Sequence, residues 1–430
     1  MAKGSKGRVC LAYSGGLDTS TILVWLLQQD YAVVCYLGNV GQEEDFAAVE
    51  AKALKLGAEA FVCEDLQKEL VDEVVAKAIM CNASFEERYL LGTALARPII
   101  ARSQVRVAER YKCQYLSHGC TGKGHGFSRA RLLTVYHSQV RFELAFTALN
   151  PALQVIAPWR LPEFIKRFQG RNDLLKFAKD NNIPVSSSPK APWSMDDNIV
   201  HCSYEAGVLE DPDHTPPKTL WTRTVDPVDA PEKPQEFTVH FEKGVITKVL
   251  TAGKEVTDSV ESFKLLNKIG HDHGVGRVDI VENRFIGLKS RGCYDTPGLT
   301  LARLAHLDLE GLVMDSRVRE LRDQFVTPNW SRQLYNGMYF SPEREFVENS
   351  IVFSQRNVSG IVRLAAYRGN AYILGRSSKS SNLYSEQDAS MDSLEGFSPE
   401  DTSGFIAIQA IRLKKYGQQK IQDGEPLSKS

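Results

Sequence analysis

Ala12-Tyr13-Ser14-Gly15-Gly16-Leu17-Asp18-Thr19-Ser20 is the most telling stretch of the sequence. It follows the apolar run Val9-Cys10-Leu11-Ala12 and precedes Ile22-Leu23-Val24-Trp25-Leu26-Leu27. The pattern predicts a strand, a glycine turn and a buried helix. Glycines let a backbone approach a ligand closely. A helix start presents unpaired N–H groups and the positive end of its dipole to phosphate. Ser14, Thr19 and Ser20 add hydroxyls, and Asp18 adds a carboxylate suited to a magnesium ion or its waters. The loop has no Gly-Lys-Ser/Thr, so it is not a Walker A, and no G-x-G-x-x-G, so it is not a dinucleotide fingerprint. A ligand-free turn has no need of hydroxyls, glycines and a carboxylate gathered at one helix entrance.

Outward from this loop, residues up to about 180 alternate strand-like runs (32–37, 60–63, 114–116) with helical patterns (45–56, 102–110). That alternation predicts an α/β fold, a parallel sheet wrapped by helices, with the ligand at the carboxyl ends of the strands. The Pro/Ser-rich residues 183–192 read as the passage into a second domain. Hairpin signals follow at 237–250, turning at Lys243-Gly244, and at 361–374, turning at Arg368-Gly369-Asn370. With a helical run over 301–325 between them, this part is expected to be α+β. Residues 405–416 have helix-like apolar spacing and precede a polar tail. The expected domains are 1–183, 184–400 and 401–430.

A chain of 430 residues with 43% apolar residues can bury ordinary cores, and a net charge of −1 gives no case for non-specific binding to nucleic acid or anionic membrane. No apolar run is long enough to span a bilayer, and residues 1–7 have no apolar signal region. The eight cysteines are scattered without a Cys-x-x-Cys pair. A reducing, cytoplasmic setting is expected. His271-x-His273 has the spacing of a metal pair on a strand. No third ligand is evident and glycines adjoin it, so no metal site is expected.

The loop at 14–20 resembles the SGG-x-D-S/T loop of the N-type ATP pyrophosphatases. Further segments narrow the resemblance: residues 85–98 (FEERYLLGTALARP), 117–124 (SHGCTGKG), 191–198 (APWSMDDN), 203–207 (SYEAG), 273–277 (HGVGR), 281–284 (VENR) and 287–292 (GLKSRG). In this order they strongly resemble the argininosuccinate synthase family, over nearly the whole chain. The resemblance implies a nucleotide-binding domain of the ATP pyrophosphatase kind, a synthetase domain and a C-terminal helix. It implies an ATP-dependent carbon–nitrogen ligase acting on citrulline and aspartate, with magnesium, no prosthetic group and a homotetrameric assembly. Other ATP pyrophosphatases, such as tRNA-modifying or amidating enzymes, would bring a catalytic cysteine pair, an RNA-binding domain or a glutaminase domain; the sequence suggests none of these.

By the same resemblance ATP is bound by Ala12, Tyr13, Ser14, Gly15, Gly16, Leu17, Asp18, Thr19 and Ser20. Gly38, where the family often has alanine, lies near the adenine. Ser117, His118, Gly119, Cys120, Thr121, Gly122, Lys123 and Gly124 form a second loop on ATP, and Thr121 also matches the family's aspartate-binding threonine. Citrulline falls to Tyr89, Ala94, Arg141, Ser194, Ser203, Glu282 and Tyr294. Arg141 suits a carboxylate, and Glu282 suits an α-ammonium. Asp18, Arg97 and Lys123 are the candidate catalytic residues. Arg97 faces phosphates or aspartate on one reading and is a helix-surface charge on the other. Lys123 is a phosphate partner or a solvated lysine, and its flanking glycines favour the former.

Two departures stand out. After Gly122-Lys123-Gly124 the family continues Asn-Asp-Gln-Val-Arg-Phe-Glu. Here residues 125–138 stand in place of Asn-Asp, and the pattern resumes at Gln139-Val140-Arg141-Phe142-Glu143. The clean resumption is what a splice or exon-boundary difference leaves. The replaced pair binds substrate in the family, so a displaced Arg141 and a weakened aspartate step are expected. The alternative reading is a non-catalytic or impaired isoform that binds nucleotide or assembles with active subunits. The second departure is Ala94, commonly a citrulline-binding serine. One lost hydrogen bond costs about 0.5–1.5 kcal/mol.

Overall fold

The computed structural model describes residues 4–120, 136–185, 193–284, 287–379, 383–386 and 399–424, the side chains of 136–138 excepted. The chain forms two compact units, Met1–Ser380 and Ser381–Ser430.

The first unit opens with five parallel strands: β1 (Arg8–Ala12), β2 (Ala32–Asn39), β3 (Ala60–Asp65), β4 (Tyr115–Ser117) and β5 (Gln154–Ile156). Their order is β3-β2-β1-β4-β5. Side chains alternate across β1. Val9 and Leu11 pack under the helices Leu17–Gln28 and Arg171–Asp180, while Cys10 packs under Gly92–Arg110 and Tyr136–Leu149. A sheet covered on both faces requires apolar side chains on both, which is why its strands read as continuous apolar runs. Strand order reverses between β1 and β4, so the loops leaving these two strands diverge and open a crevice.

Two antiparallel sheets follow. One has the order β11-β12-β7-β6, from β6 (Ser194–Asp197), β7 (Cys202–Glu205), β11 (Arg277–Asn283) and β12 (Lys289–Asp295). The other has the order β10-β9-β8-β13-β14, from β8 (Gln235–Glu242), β9 (Val245–Thr251), β10 (Lys254–Val256), β13 (Gly360–Tyr367) and β14 (Asn370–Ser377). Both expected hairpins form. Their central pairs, Lys243-Gly244 and Arg368-Gly369, all have positive φ (48° and 81°, 42° and 87°), the backbone that two-residue hairpin turns require.

The expected helix over 301–325 is broken. Pro297–Val313 ends, and Ser316–Leu321 begins anew with Asp315 as its cap, accepting from the N–H groups of Arg317 (2.9 Å) and Val318 (3.1 Å). Apolar periodicity bridged a capping aspartate. The largest core joins Leu91, Leu95 and Ile99 to Phe263, Leu309, Trp330 and Val362. The helix Gly92–Arg110 therefore serves the parallel sheet with one face and the synthetase part with the other. In the second unit, the helix Pro399–Gln422 exposes Phe405, Ile408, Ile411 and Tyr416.

Candidate active site

At the strand-order reversal lies a cleft of about 670 Å3. Ala12, Tyr13, Ser14, Gly16, Asp18 and Thr19 line it from β1, His118, Gly119 and Cys120 from β4, and Gly38 from β2. Gly16 heads the helix without a side-chain cap, which leaves first-turn N–H groups without intrahelical partners where the cleft begins. Gly15, Leu17, Ser20 and Ser117 stand behind this lining. Gly15 has φ +72°, and its carbonyl accepts from Lys52 Nζ (2.7 Å) and Ser20 Oγ (3.3 Å). Buried Ser20 bonds the Tyr13 hydroxyl at 3.1 Å. A Cβ on Gly119 would lie 2.5 Å from Thr19 Cγ2. Only glycine lets the two loops touch there.

Across the cleft stand Arg97 and the β6 segment with Ser194, Asp196 and Asp197. Arg97 is not a surface charge. Its side chain is 15% exposed, pairs with Asp196 and lies over the Phe142 ring at 5.6 Å. Asp197 makes a two-point pair with Arg223, at 2.8 and 2.6 Å. Ser194 belongs to this cleft, apart from the other residues assigned to citrulline.

Those residues gather in a second, buried cluster. Tyr89 stands in a tight turn, with Phe85 N–H donating to its carbonyl at 2.7 Å. Glu86, Glu87 and Leu91 around it have φ of 50°, 63° and 62°, the strained backbone common at functional sites. The Tyr89 and Tyr294 rings stack at 3.9 Å, so the pair offers a ligand its hydroxyl ends and edges rather than a slot. Tyr294 donates to Glu282 Oε1 (2.7 Å), which Arg284 also holds (3.0 Å), and Glu282 Oε2 is buried without a partner among the described residues. Burial raises the Glu282 carboxyl, and Arg284 and Tyr294 oppose that rise. Strand register sets Ser203 opposite both Tyr294 and Asp196. Ala94 is wholly buried in the same core.

Arg141 is also buried here, with Nε donating to the Tyr335 carbonyl (2.8 Å) and its guanidinium 5.1 Å from the Tyr335 ring. Tyr89 and Glu282 of the cluster lie within electrostatic reach of Arg141. Because Nε is engaged, a carboxylate would meet Arg141 end-on, through the terminal nitrogens. Burial lowers its pKa, and Arg97 and Arg284 add to that lowering. Arg97 is therefore within electrostatic reach of both regions. His201, missed in the sequence, bonds Thr93 Oγ1 at 2.9 Å. Burial, Arg97 and Arg223 push it down to about 3, so it is neutral.

Thr121, Gly122, Lys123 and Gly124 lie outside the described residues, as do residues 125–135 of the insert; 136–138 begin the helix that carries Arg141. The strand spacing of His271 and His273 does not hold. His271 is in the last turn of a helix, its Nδ1 3.0 Å from the Arg223 carbonyl, and His273 is the residue after it. Arg284, Asp196 and Glu143 were also missed as site members, although all three lie inside stretches already singled out.

Residues 8–184 match the arginosuccinate synthase N-terminal HUP domain, and residues 193–416 match the arginosuccinate synthase C-terminal domain. The chain belongs to the argininosuccinate synthase family. It is 53% identical to the argininosuccinate synthase of Saccharomyces cerevisiae over 430 residues, covering 99% of this chain and 100% of that one. Against the Schizosaccharomyces pombe enzyme it is 55% identical over 407 residues, covering 95% and 96%. Against that of Homo sapiens it is 50% identical over 414 residues, covering 96% and 97%.

Proposed function

We propose that this chain is an ATP-dependent ligase that joins citrulline to aspartate, releasing argininosuccinate, AMP and diphosphate. The observation that carries the reading is the presence of two unlike regions, a cleft and a buried polar cluster, with Arg97 lining the first and within electrostatic reach of the second. An open cleft of glycines, hydroxyls and a helix start suits a polyphosphate. A buried cluster of Glu282, Arg141 and tyrosine hydroxyls suits a zwitterionic amino acid. Arg97 acts on both.

The citrulline ureido oxygen attacks the α-phosphorus of ATP, and the bond to the β-phosphate oxygen breaks. Diphosphate leaves toward residues 12–20, and the aspartate amine then displaces AMP from the activated carbon. No protein nucleophile is needed, so positioning and charge stabilisation carry the rate. Asp18, Arg97 and Lys123 serve the phosphates. Gly38 adjoins the adenine, and Ser117 to Gly124 form the second side of the ATP site, with Thr121 on aspartate. Tyr89, Arg141, Ser194, Ser203, Glu282 and Tyr294 hold citrulline, with Ala94 packed beside them.

Magnesium fits this donor set. Among the described residues no three His, Cys, Asp or Glu side chains form a metal group. Asp18 and the hydroxyls of Ser14 and Thr19 are oxygen donors of the kind magnesium takes together with substrate phosphates. Bound there, it would supply charge neutralisation for the phosphates.

Residues 1–183 act as the ATP domain, 184–400 as the synthetase and 401–430 as an oligomerisation element. The exposed apolar residues of Pro399–Gln422 favour a homotetramer, and the reduced cysteines favour the cytoplasm. Arg141 stands within its cluster, so nothing favours the reading without activity.

The test is diphosphate release by the purified chain with ATP, magnesium and citrulline, with and without aspartate. A variant carrying Asn-Asp in place of residues 125–138 is run beside it. Citrulline-dependent release, increased by aspartate, is expected from both. Silence from two folded proteins overturns the reading.

A further inference from the structure

We infer that Glu143 is a positioning residue for diphosphate release: by accepting from His118 Nε2, it fixes that ring as a donor and a positive charge beside the phosphate loop. The inference rests on the ligase reading above and names a group that reading does not use.

The geometry begins with register. Leu11 pairs with Ser117 between β1 and β4, so Ala12 and His118 leave their strands side by side, and Gly119 then packs on Thr19. His118 lines the cleft but is only 1% exposed. A charge so buried survives only with a partner. Glu143 supplies one, with Oε1 3.2 Å from Nε2, while its Oε2 is paired with Arg160. The same helix braces the loop twice more. Gln139 Nε2 donates to the Cys120 carbonyl at 2.6 Å, and the Phe142 ring stacks near His118 at 6.0 Å and 21°.

The ionisable groups facing the ring are Cys120 and Glu143, with Arg160 behind Glu143 and Arg97 beyond Phe142. Burial works against the imidazolium, but Cys120 and Glu143 outweigh it and raise His118 to about 9. Burial also works against ionised Glu143, yet His118 and Arg160 hold it below the usual carboxylate range. Apart from the Cys120 side chain that hydrogen-bonds the ring, His118 Nδ1 is buried without a nitrogen or oxygen partner among the described residues. A buried N–H lacking an oxygen acceptor points to one that arrives with the ligand, and a phosphate oxygen at the neighbouring loop is such an acceptor.

The experiment compares the full chain with Glu143→Gln and Glu143→Asp. One readout is kcat/KM for ATP from pH 6 to 10, and the other is the titration of His118 by NMR. Glu143→Gln should lower kcat/KM for ATP at pH 8 about 10- to 100-fold, with KM for citrulline within about twofold. Its basic limb and the His118 titration should both move down by at least about one unit, so that activity recovers partly at pH 6. Glu143→Asp, whose shorter carboxylate reaches the ring less well, should move both by less in the same direction, and it serves if the glutamine variant does not fold. Equal loss at every pH, or an unshifted His118 titration, overturns the inference. A wild-type chain that does not turn over refutes the ligase reading instead, and the NMR titration still decides whether Glu143 sets the state of His118.

Discussion

The phosphate cleft and the buried amino-acid cluster solve opposite problems. The cleft is built from backbone, glycines and hydroxyls, with an uncapped helix start at its mouth. Apart from the buried His118–Glu143 pair, its charges are partly exposed: Asp18, and the pairs Arg97–Asp196 and Arg223–Asp197. The cluster holds its charges permanently inside, with Glu282 fully buried and tied to Arg284, and Arg284 tied also to Glu205 at 3.1 Å. Partly exposed charges keep much of their hydration, and an exposed pair contributes little when it is broken. A buried ion pair is costly to break, because the partner left behind is uncompensated. Damage should therefore stay local in the first region and spread to the fold in the second.

The largest effect should come from Glu282→Ala. It leaves Arg284 with Glu205 as its carboxylate partner, beside the Ser290 hydroxyl at 3.1 Å, and removes the proposed acceptor for the substrate ammonium. Stability should fall by about 3 kcal/mol, the low end for a broken buried pair because Glu205 remains. Citrulline kcat/KM should fall by about 10³-fold, read from initial rates alongside a thermal melt. Next is Asp18→Asn, expected to lower kcat by about 10²-fold with a melting temperature within about 2 °C of the parent. If Asp18→Asn unfolded the chain and Glu282→Ala did not, the contrast between the regions would be wrong.

This contrast also explains what could be read from the sequence. The stretch around residues 14–20 carries its local fold in contiguous sequence, strand, glycine turn and helix, so that fold was legible. The two hairpins were legible for the same local reason. Glu143 was not, because nothing at 143 reveals that β4 will bring His118 to within 3.2 Å of it. Asp196 and His201 gain their roles only when β6 and β7 pair and face Arg97 and Thr93. The break at Asp315 could have been found, since an aspartate beginning Asp-Ser-Arg-Val is a capping signal.

The two histidines turn the comparison into a pH experiment. His118 is raised from 6.5 to about 9 in the fold. Its contribution is therefore complete below pH 6.5 and is lost as pH rises through 9. His201 is lowered from 6.5 to about 3, so its contribution is present above pH 6.5 and is lost as pH falls toward 3. At about 1.4 kcal/mol per unit, the alkaline loss from His118 is at most about 3.5 kcal/mol. Denaturant melts of His118→Gln should flatten the alkaline side of the stability profile, and those of His201→Gln the acid side. Both variants flattening the same side would show that the charges have been assigned wrongly.

The smallest expected effect is at Gly38, and it tests how tolerant the cleft really is. The family's frequent alanine suggests a harmless change, since a backbone contact to adenine would survive it. In this chain, however, a Cβ on Gly38 lies 2.9 Å from Leu66 Cδ1 and 3.0 Å from the Tyr36 hydroxyl. Both are side-chain ends and can retreat by a few tenths of an ångström, but Tyr36 donates to the Ile100 carbonyl at 3.3 Å, so its retreat loosens one bond. Gly38→Ala should therefore cost less than about 1 kcal/mol of stability and raise KM for ATP by no more than about threefold, leaving kcat unchanged. A larger rise in KM would mean that the nucleotide needs the open face of Gly38 itself. The adenine side of the cleft would then be shaped as tightly as the amino-acid cluster.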